Sequence, residues 1–205
     1  LTLGTAIINV TEPVVQVKLN VTQRVLQSSR VLVLTTCRPG AAEDTACTAA
    51  RATFVDSYLT GLGIEHTVTT DEAGFRKALR SGRYNVYWLS GGAEKLKGSL
   101  AEEVREAVFR GDSLIMDGVH DERNKDLDEV VGVLHRGKLP TADQLITVAG
   151  PVFTPGVLNT IGKPEKVQLA GGTQQAGYGT ITGYPALVSN DYGLGKGWIA
   201  TFDLV

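Results

Sequence analysis

The alternation of hydrophobic and polar residues changes character twice along the chain, near residue 30 and again after Pro140. Over Thr5 to Val10 and Val14 to Val21 apolar and polar residues alternate, with Glu12-Pro13 between them. A period of two predicts β-strands, here a hairpin or the last strands of a preceding β-sandwich, with Leu26 to Arg30 as linker. From Arg30 onward, short wholly apolar runs alternate with stretches of helical spacing. Residues 30–34 and 113–116 are apolar enough to be strands buried on both faces. Residues 84–89 read as a further strand, and 64–69 as an alternating one. Between them the spacing predicts helices over 43–62, 71–80, 99–110 and 125–134. In the first, Ala46, Ala50, Phe54, Tyr58 and Leu62 recur every four residues and form the expected apolar stripe. Asp71 and Ser99 are the expected N-caps of the second and third.

Strands separated by single helices pair in parallel through right-handed crossovers. The expected fold is therefore α/β, a three-layer flavodoxin-like sandwich with a mostly parallel central sheet and N-terminal β-strands attached. The expected division is residues 1–29 as the attachment and 30–205 as the α/β domain. Ligands of such sheets bind beyond the strand C-terminal ends, at the point where the strand order reverses. That singles out the loops over 35–45, 90–98 and 117–124. After Pro140 glycine and proline become frequent and helical spacing fades. Short antiparallel strands are expected at 144–148, 166–170, 185–189 and 197–202, and the Gly/Gln-rich stretch 171–182 reads as a loose loop.

Composition narrows the function classes. A net charge of -2 lacks the basic face that nucleic acid needs. No apolar run reaches the length of a membrane-spanning helix. The chain starts at Leu1 rather than Met and ends in strand-like sequence, as a piece of a longer polypeptide would. Cys37 and Cys47 lie in one polar stretch, either as two free thiols or as a disulfide. A disulfide would imply an oxidising compartment, extracellular or periplasmic, and free thiols would suit the cytoplasm. The glycine pattern at Gly91-Gly92 matches neither a dinucleotide fingerprint nor a phosphate loop, so no cofactor is expected.

The order strand, Ser90-Gly-Gly92, helix, then Leu114 to Asp121 resembles the class I glutamine amidotransferase-like superfamily. Residues 109–115 and the closing stretch from Asp191 to Asp203 are similar to the same family. The resemblance implies a nucleophile elbow at Asp117-Gly-Val-His120. There it puts Val119 where active members carry cysteine, and no histidine follows Pro140. A valine cannot attack a carbonyl carbon, so the resemblance implies a non-catalytic, pseudoenzyme-like module. Its role would be ligand binding or domain scaffolding in a larger, exported bacterial protein. The implied ligand-binding residues are Ser90, Gly91, Gly92, Val119, His120 and Asp121. The implied partners are neighbouring domains and a small or carbohydrate-like ligand, with neither nucleic acid nor membrane insertion.

A rival reading is a hydrolase in which His120 acts with Asp117 or Asp121, since neighbouring carboxylates favour a protonated imidazole. Cys37 is a further candidate nucleophile, because it follows a buried strand next to Arg38 and near a helix start. Asp117, His120 and Asp121 crowd one short loop, a poor geometry for a single metal centre.

Overall fold

The computed structural model describes residues 8–11, 16–19, 29–37, 44–91, 96, 99–118, 124–139, 144–147, 156–159, 164–178, 183–202 and 204; for 8–11, 16–19, 144–147 and 156–159 the backbone alone is described. β1 (Ile8–Thr11) and β2 (Gln16–Leu19) pair antiparallel as a two-stranded ribbon. The remaining elements are built around one open, nine-stranded sheet. Its parallel half comprises β3 (Arg30–Thr35), β4 (Glu65–Thr69), β5 (Val86–Ser90), β6 (Ser113–Met116) and β13 (Gly195–Ala200). These strands lie in the order β4-β3-β5-β6-β13. The sheet then continues through β12 (Pro185–Tyr192), β11 (Thr173–Tyr178), β8 (Gln144–Thr147) and β9 (Gly156–Asn159), all antiparallel to their neighbours. A second, two-stranded sheet joins β7 (Val133–Lys138) to β10 (Glu165–Leu169).

Helices cover the parallel half from both sides. α1 (Thr45–Gly61) packs Val55 and Leu59 onto Val31, Val33 and Trp88. On the opposite face α2 (Glu72–Leu79), α3 (Ser99–Phe109) and α4 (Lys125–Val131) share a larger core with Leu32, Leu34, Leu89 and Leu114. β3, next to the edge strand β4, is covered on both faces: residues 31–35 are all buried, so alternate side chains feed the two cores. Phe75 at the centre of the larger core has no exposed surface; that burial contributes roughly 1.5–3 kcal/mol. Asp71 caps α2 by accepting from the Gly74 N–H at 2.8 Å, as its position predicts. α4 stops at Gly132, in the left-handed region at φ 70°, where a Cβ would collide with the Gly172 backbone.

Three expectations change. The sheet is α/β with helices on both faces, but its parallel pairs are matched in number by antiparallel ones, because the residues after Pro140 double its width. The Gly/Gln-rich stretch expected to be a loose loop contains β11, paired on both sides, with Ala176 and Tyr178 buried. Glycine and glutamine hid it because the strand is held by its neighbours' hydrogen bonds more than by its own side chains. Finally, the α1 stripe is the wrong one. Phe54, Tyr58 and Leu62 are more than half exposed, and the buried positions are Thr48, Val55 and Leu59. Both stripes have helical spacing, and the helix is rotated so that Arg51 faces inward.

Candidate functional site

The topology fixes where a site belongs. β3 leads into α1 on one face, whereas β5 leads into α3 on the other, so the chain reverses direction between β3 and β5. At such a reversal the C-terminal edge of the sheet is where ligands of this class of fold bind. Thr36, Ser90, Gly91 and Asp117 meet at this place. Three of the loops chosen from the sequence therefore do converge at their strand-proximal ends.

Asp117 is the hub. It follows β6, has no exposed surface, and is held by donors from three directions. Trp88 Nε1 donates to Oδ2 at 2.5 Å. Ser90 Oγ and the Gly91 backbone N–H donate to Oδ1 at 3.2 and 3.1 Å. Arg51 Nη1 lies 3.8 Å from the same oxygen and donates to Ser90 Oγ at 3.4 Å. A buried carboxylate is tolerable only when paired and hydrogen-bonded, and both conditions are met. Its own N–H donates to Leu89 O, and the next residue's N–H donates to Phe202 O, which ties the ends of β5, β6 and β13 together.

Gly91 is dictated by this packing. Its φ is +69°, and a Cβ would collide with the Thr36 carbonyl oxygen and lie 2.8 Å from Arg51 Nε. Thr36 closes the turn, donating its N–H to Ser90 O and its Oγ1 to Gly91 O, both at 3.1 Å.

Arg51 is placed by the start of α1. Asp44 is the N-cap, accepting from the Cys47 N–H at 2.9 Å, and its own N–H donates to Cys37 O. Cys37 and Cys47 form a disulfide that fastens the end of β3 to the first turn of α1. Arg51 follows Cys47 by one turn. The alternative of free thiols is thereby set aside, and a bonded Cys37 has no thiolate with which to act as a nucleophile.

Of the residues selected from sequence, Ser90, Gly91 and Asp117 are brought together. Gly92, Val119, His120 and Asp121 lie outside the described residues. Arg51, Trp88 and Thr36 were not selected. Arg51 had one visible signal, a cation in mid-helix seven residues before Tyr58, on the flank of the apparent apolar stripe. Trp88 reads simply as a core residue. Among the described residues no cluster of histidine, cysteine and carboxylate side chains suits a metal ion. None of the described helices is long and apolar enough to cross a membrane.

No protein-family model and no curated protein matches the sequence. Solved structures do match in fold. A cold-adapted β-galactosidase from Rahnella sp. R3 is similar over 84% of this chain at TM-score 0.64 and 17% identity, using 28% of its own length. An exo-β-1,4-mannosidase from Opitutaceae bacterium strain TAV5 is similar over 86% at TM-score 0.59 and 11% identity, using 31% of its length. A cytoplasmic protein from Salmonella typhimurium is similar over 85% at TM-score 0.57 and 17% identity, using 87% of its length. The chain thus spans under a third of each glycosidase. These neighbours correct the assignment to the glutamine amidotransferase-like superfamily: they are glycosidases and a Salmonella protein. The pseudoenzyme reading falls with it, since the missing residues were missing only by that family's standard. The misleading signal was short. Gly91 after one strand and Asp117 after the next serve here to seat a buried carboxylate, a packing requirement.

Proposed function

We propose that the chain is the α/β module of a longer glycoside hydrolase, a polypeptide whose reaction is cleavage of a glycosidic bond by water. The observation that carries this reading is the coverage: nearly all of the chain matches a minor part of a β-galactosidase and of a mannosidase. The order of the parallel strands, 2-1-3-4-5 in chain order, supports a flavodoxin-like description of that half and a ligand edge between β3 and β5. On this reading Ser90 and Gly91 form the floor of that edge, and Gly92, Val119, His120 and Asp121 follow it as the residues that meet a carbohydrate.

If the module itself takes part in the chemistry, the acid–base pair is His120 with Asp121. Asp117 is the poorer partner, because its carboxylate is fully buried and already accepts from Trp88, Ser90 and Gly91. The exposed stripe Phe54, Tyr58 and Leu62 on α1 supports contact with another part of the polypeptide, since apolar side chains lined up on a surface favour an interface. The disulfide supports an exported protein.

The test is to assay the polypeptide containing this segment with chromogenic β-galactosides and β-mannosides. Hydrolysis of either, lowered by His120→Ala, supports both levels of the reading. Hydrolysis unaffected by His120→Ala keeps the module and removes its acid–base role. No hydrolysis of any glycoside overturns the proposal.

A further inference from the structure

A cavity lies at the opposite end of the strands from Asp117, and nothing in the C-terminal-edge site uses it. Its volume is about 900 Å³, within the range of small-molecule sites. One wall is a single face of α3: Ser99, Glu102, Glu103, Glu106 and Arg110 recur at helical spacing. At 1.5 Å per residue that face extends for ~16 Å. The other wall is the end of α2 and the turn after it, with Arg80 and Tyr84. The floor is the start of the parallel strands, with Arg30, Asn85 and Asp112.

The lining mixes internally balanced ionic groups with the apolar surface of Leu79, Tyr84 and Val86. Arg80 donates to both oxygens of Glu103 at 2.9 and 2.8 Å, a planar fork that joins α2 to α3. Tyr87 Oη donates to Asp112 Oδ2 at 2.8 Å. Arg110 Nη1 lies 3.5 Å from Glu106 Oε2. The Asn85 side-chain oxygen accepts from the Arg30 backbone N–H at 2.8 Å, so the Asn85 NH₂ group is the donor it can offer a ligand. Four carboxylates (Glu102, Glu103, Glu106, Asp112) stand against three guanidinium groups (Arg30, Arg80, Arg110).

We propose that this groove binds a neutral, hydroxyl-rich ligand, a short oligosaccharide. Near-balanced charge gives no net attraction to a phosphate or to a polycation. A wholly apolar ligand would strand the ionic groups unpaired, whereas a sugar ring offers hydroxyls to them and carbon to Leu79, Tyr84 and Val86. Carboxylates and guanidinium groups lining one groove suit vicinal hydroxyls, which donate to the former and accept from the latter. The elongated shape suits more than one sugar ring. The carbohydrate class rests on the glycoside-hydrolase reading; the position of the groove, at the far end of the strands from Asp117, does not.

The experiment is a titration of the isotopically labelled chain with lactose and, separately, with β-1,4-mannobiose, followed by backbone NMR shifts. Saturable shifts at residues 79–87 and 99–113 are expected for at least one sugar. The double variant Glu102→Gln/Glu106→Gln should weaken that binding about tenfold or more, with its spectrum otherwise unchanged. Asp56→Asn, on α1 across the sheet from α2 and α3, should leave it unaltered. Absence of shifts with both sugars overturns the proposal. So do shifts confined to residues 36–37, 90–91 and 117–118, or binding indifferent to the double variant. Glycosidase activity of the longer polypeptide without groove binding would remove the groove alone. Groove binding without such activity would remove the hydrolase reading and leave a saccharide-binding module.

Discussion

The two ends of the parallel strands carry ionisable groups in opposite ways. At the C-terminal edge one carboxylate, Asp117, is fully buried under Trp88, Ser90, Gly91 and Arg51, and a disulfide fixes the helix that supplies the arginine. At the N-terminal edge several acids and arginines line an open groove, and their pairs, such as Arg80–Glu103 and Arg110–Glu106, stay in contact with water. The difference teaches what each edge can do. A buried charge with its partners in place sets geometry, because moving any partner leaves an uncompensated group. An exposed pair holds little structure and can exchange its hydrogen bonds for those of a ligand. The first edge is built as a rigid floor and the second as an adaptable wall.

The contrast is broken most severely by Asp117→Ala. It strips the acceptor from an indole N–H and a backbone N–H and leaves Arg51 without its nearby charge, at a cost of about 3–5 kcal/mol. Urea unfolding monitored by circular dichroism measures it. A loss below ~1 kcal/mol would mean that the hub anchors nothing. Next in size is the disulfide. Reduction by a dithiol, or Cys37→Ser with Cys47→Ser, should cost about 2–3 kcal/mol for so short a loop. Trp88 emission should shift as well, since α1 then holds Arg51 less firmly against Asp117. An unchanged emission spectrum would separate the disulfide from the hub.

The smallest effect concerns two tyrosines away from the hub. Burial, first of all, raises the Tyr87 hydroxyl above its ordinary value of 10.0, and the hydrogen bond to Asp112 adds to the rise. Burial likewise raises Tyr178, against the opposing effect of its bond to Thr201. In both, the fold keeps the proton that the unfolded chain releases near pH 10. Their contribution is complete below that pH and declines above it. Thermal midpoints should therefore fall above pH 10, and less steeply in Tyr87→Phe and Tyr178→Phe. Equal slopes in wild type and variants would contradict the assignment.

How much of this was legible follows from how each element is stabilised. β3, β5 and β6 announce themselves because their central residues are short apolar runs, buried on both faces in β3 and β5. β7 does not, because one of its inward positions is His135, whose Nδ1 meets the Asp128 carboxylate at 3.0 Å inside the fold. A histidine at an inward site reads as polar and breaks the alternation. α1 offered two stripes of helical spacing, and the one that turns inward is seen only through long-range contacts, Val55 and Leu59 with the sheet and Arg51 with Asp117, which no local pattern encodes. The same reason hid the site. Ser90 and Gly91 were visible as a turn after a buried strand, and Asp117 as an acid after the next. That Asp117 would be sealed beneath Trp88 and Arg51 depends on three elements meeting.

Native-state hydrogen exchange tests the contrast between the edges most directly. The Trp88 indole N–H and the Gly91 amide should exchange only through global unfolding, and the amides of Ser81 and Gly82 beside the groove through local opening. Exchange of Gly91 and Trp88 as fast as that of Ser81 and Gly82 would contradict the account.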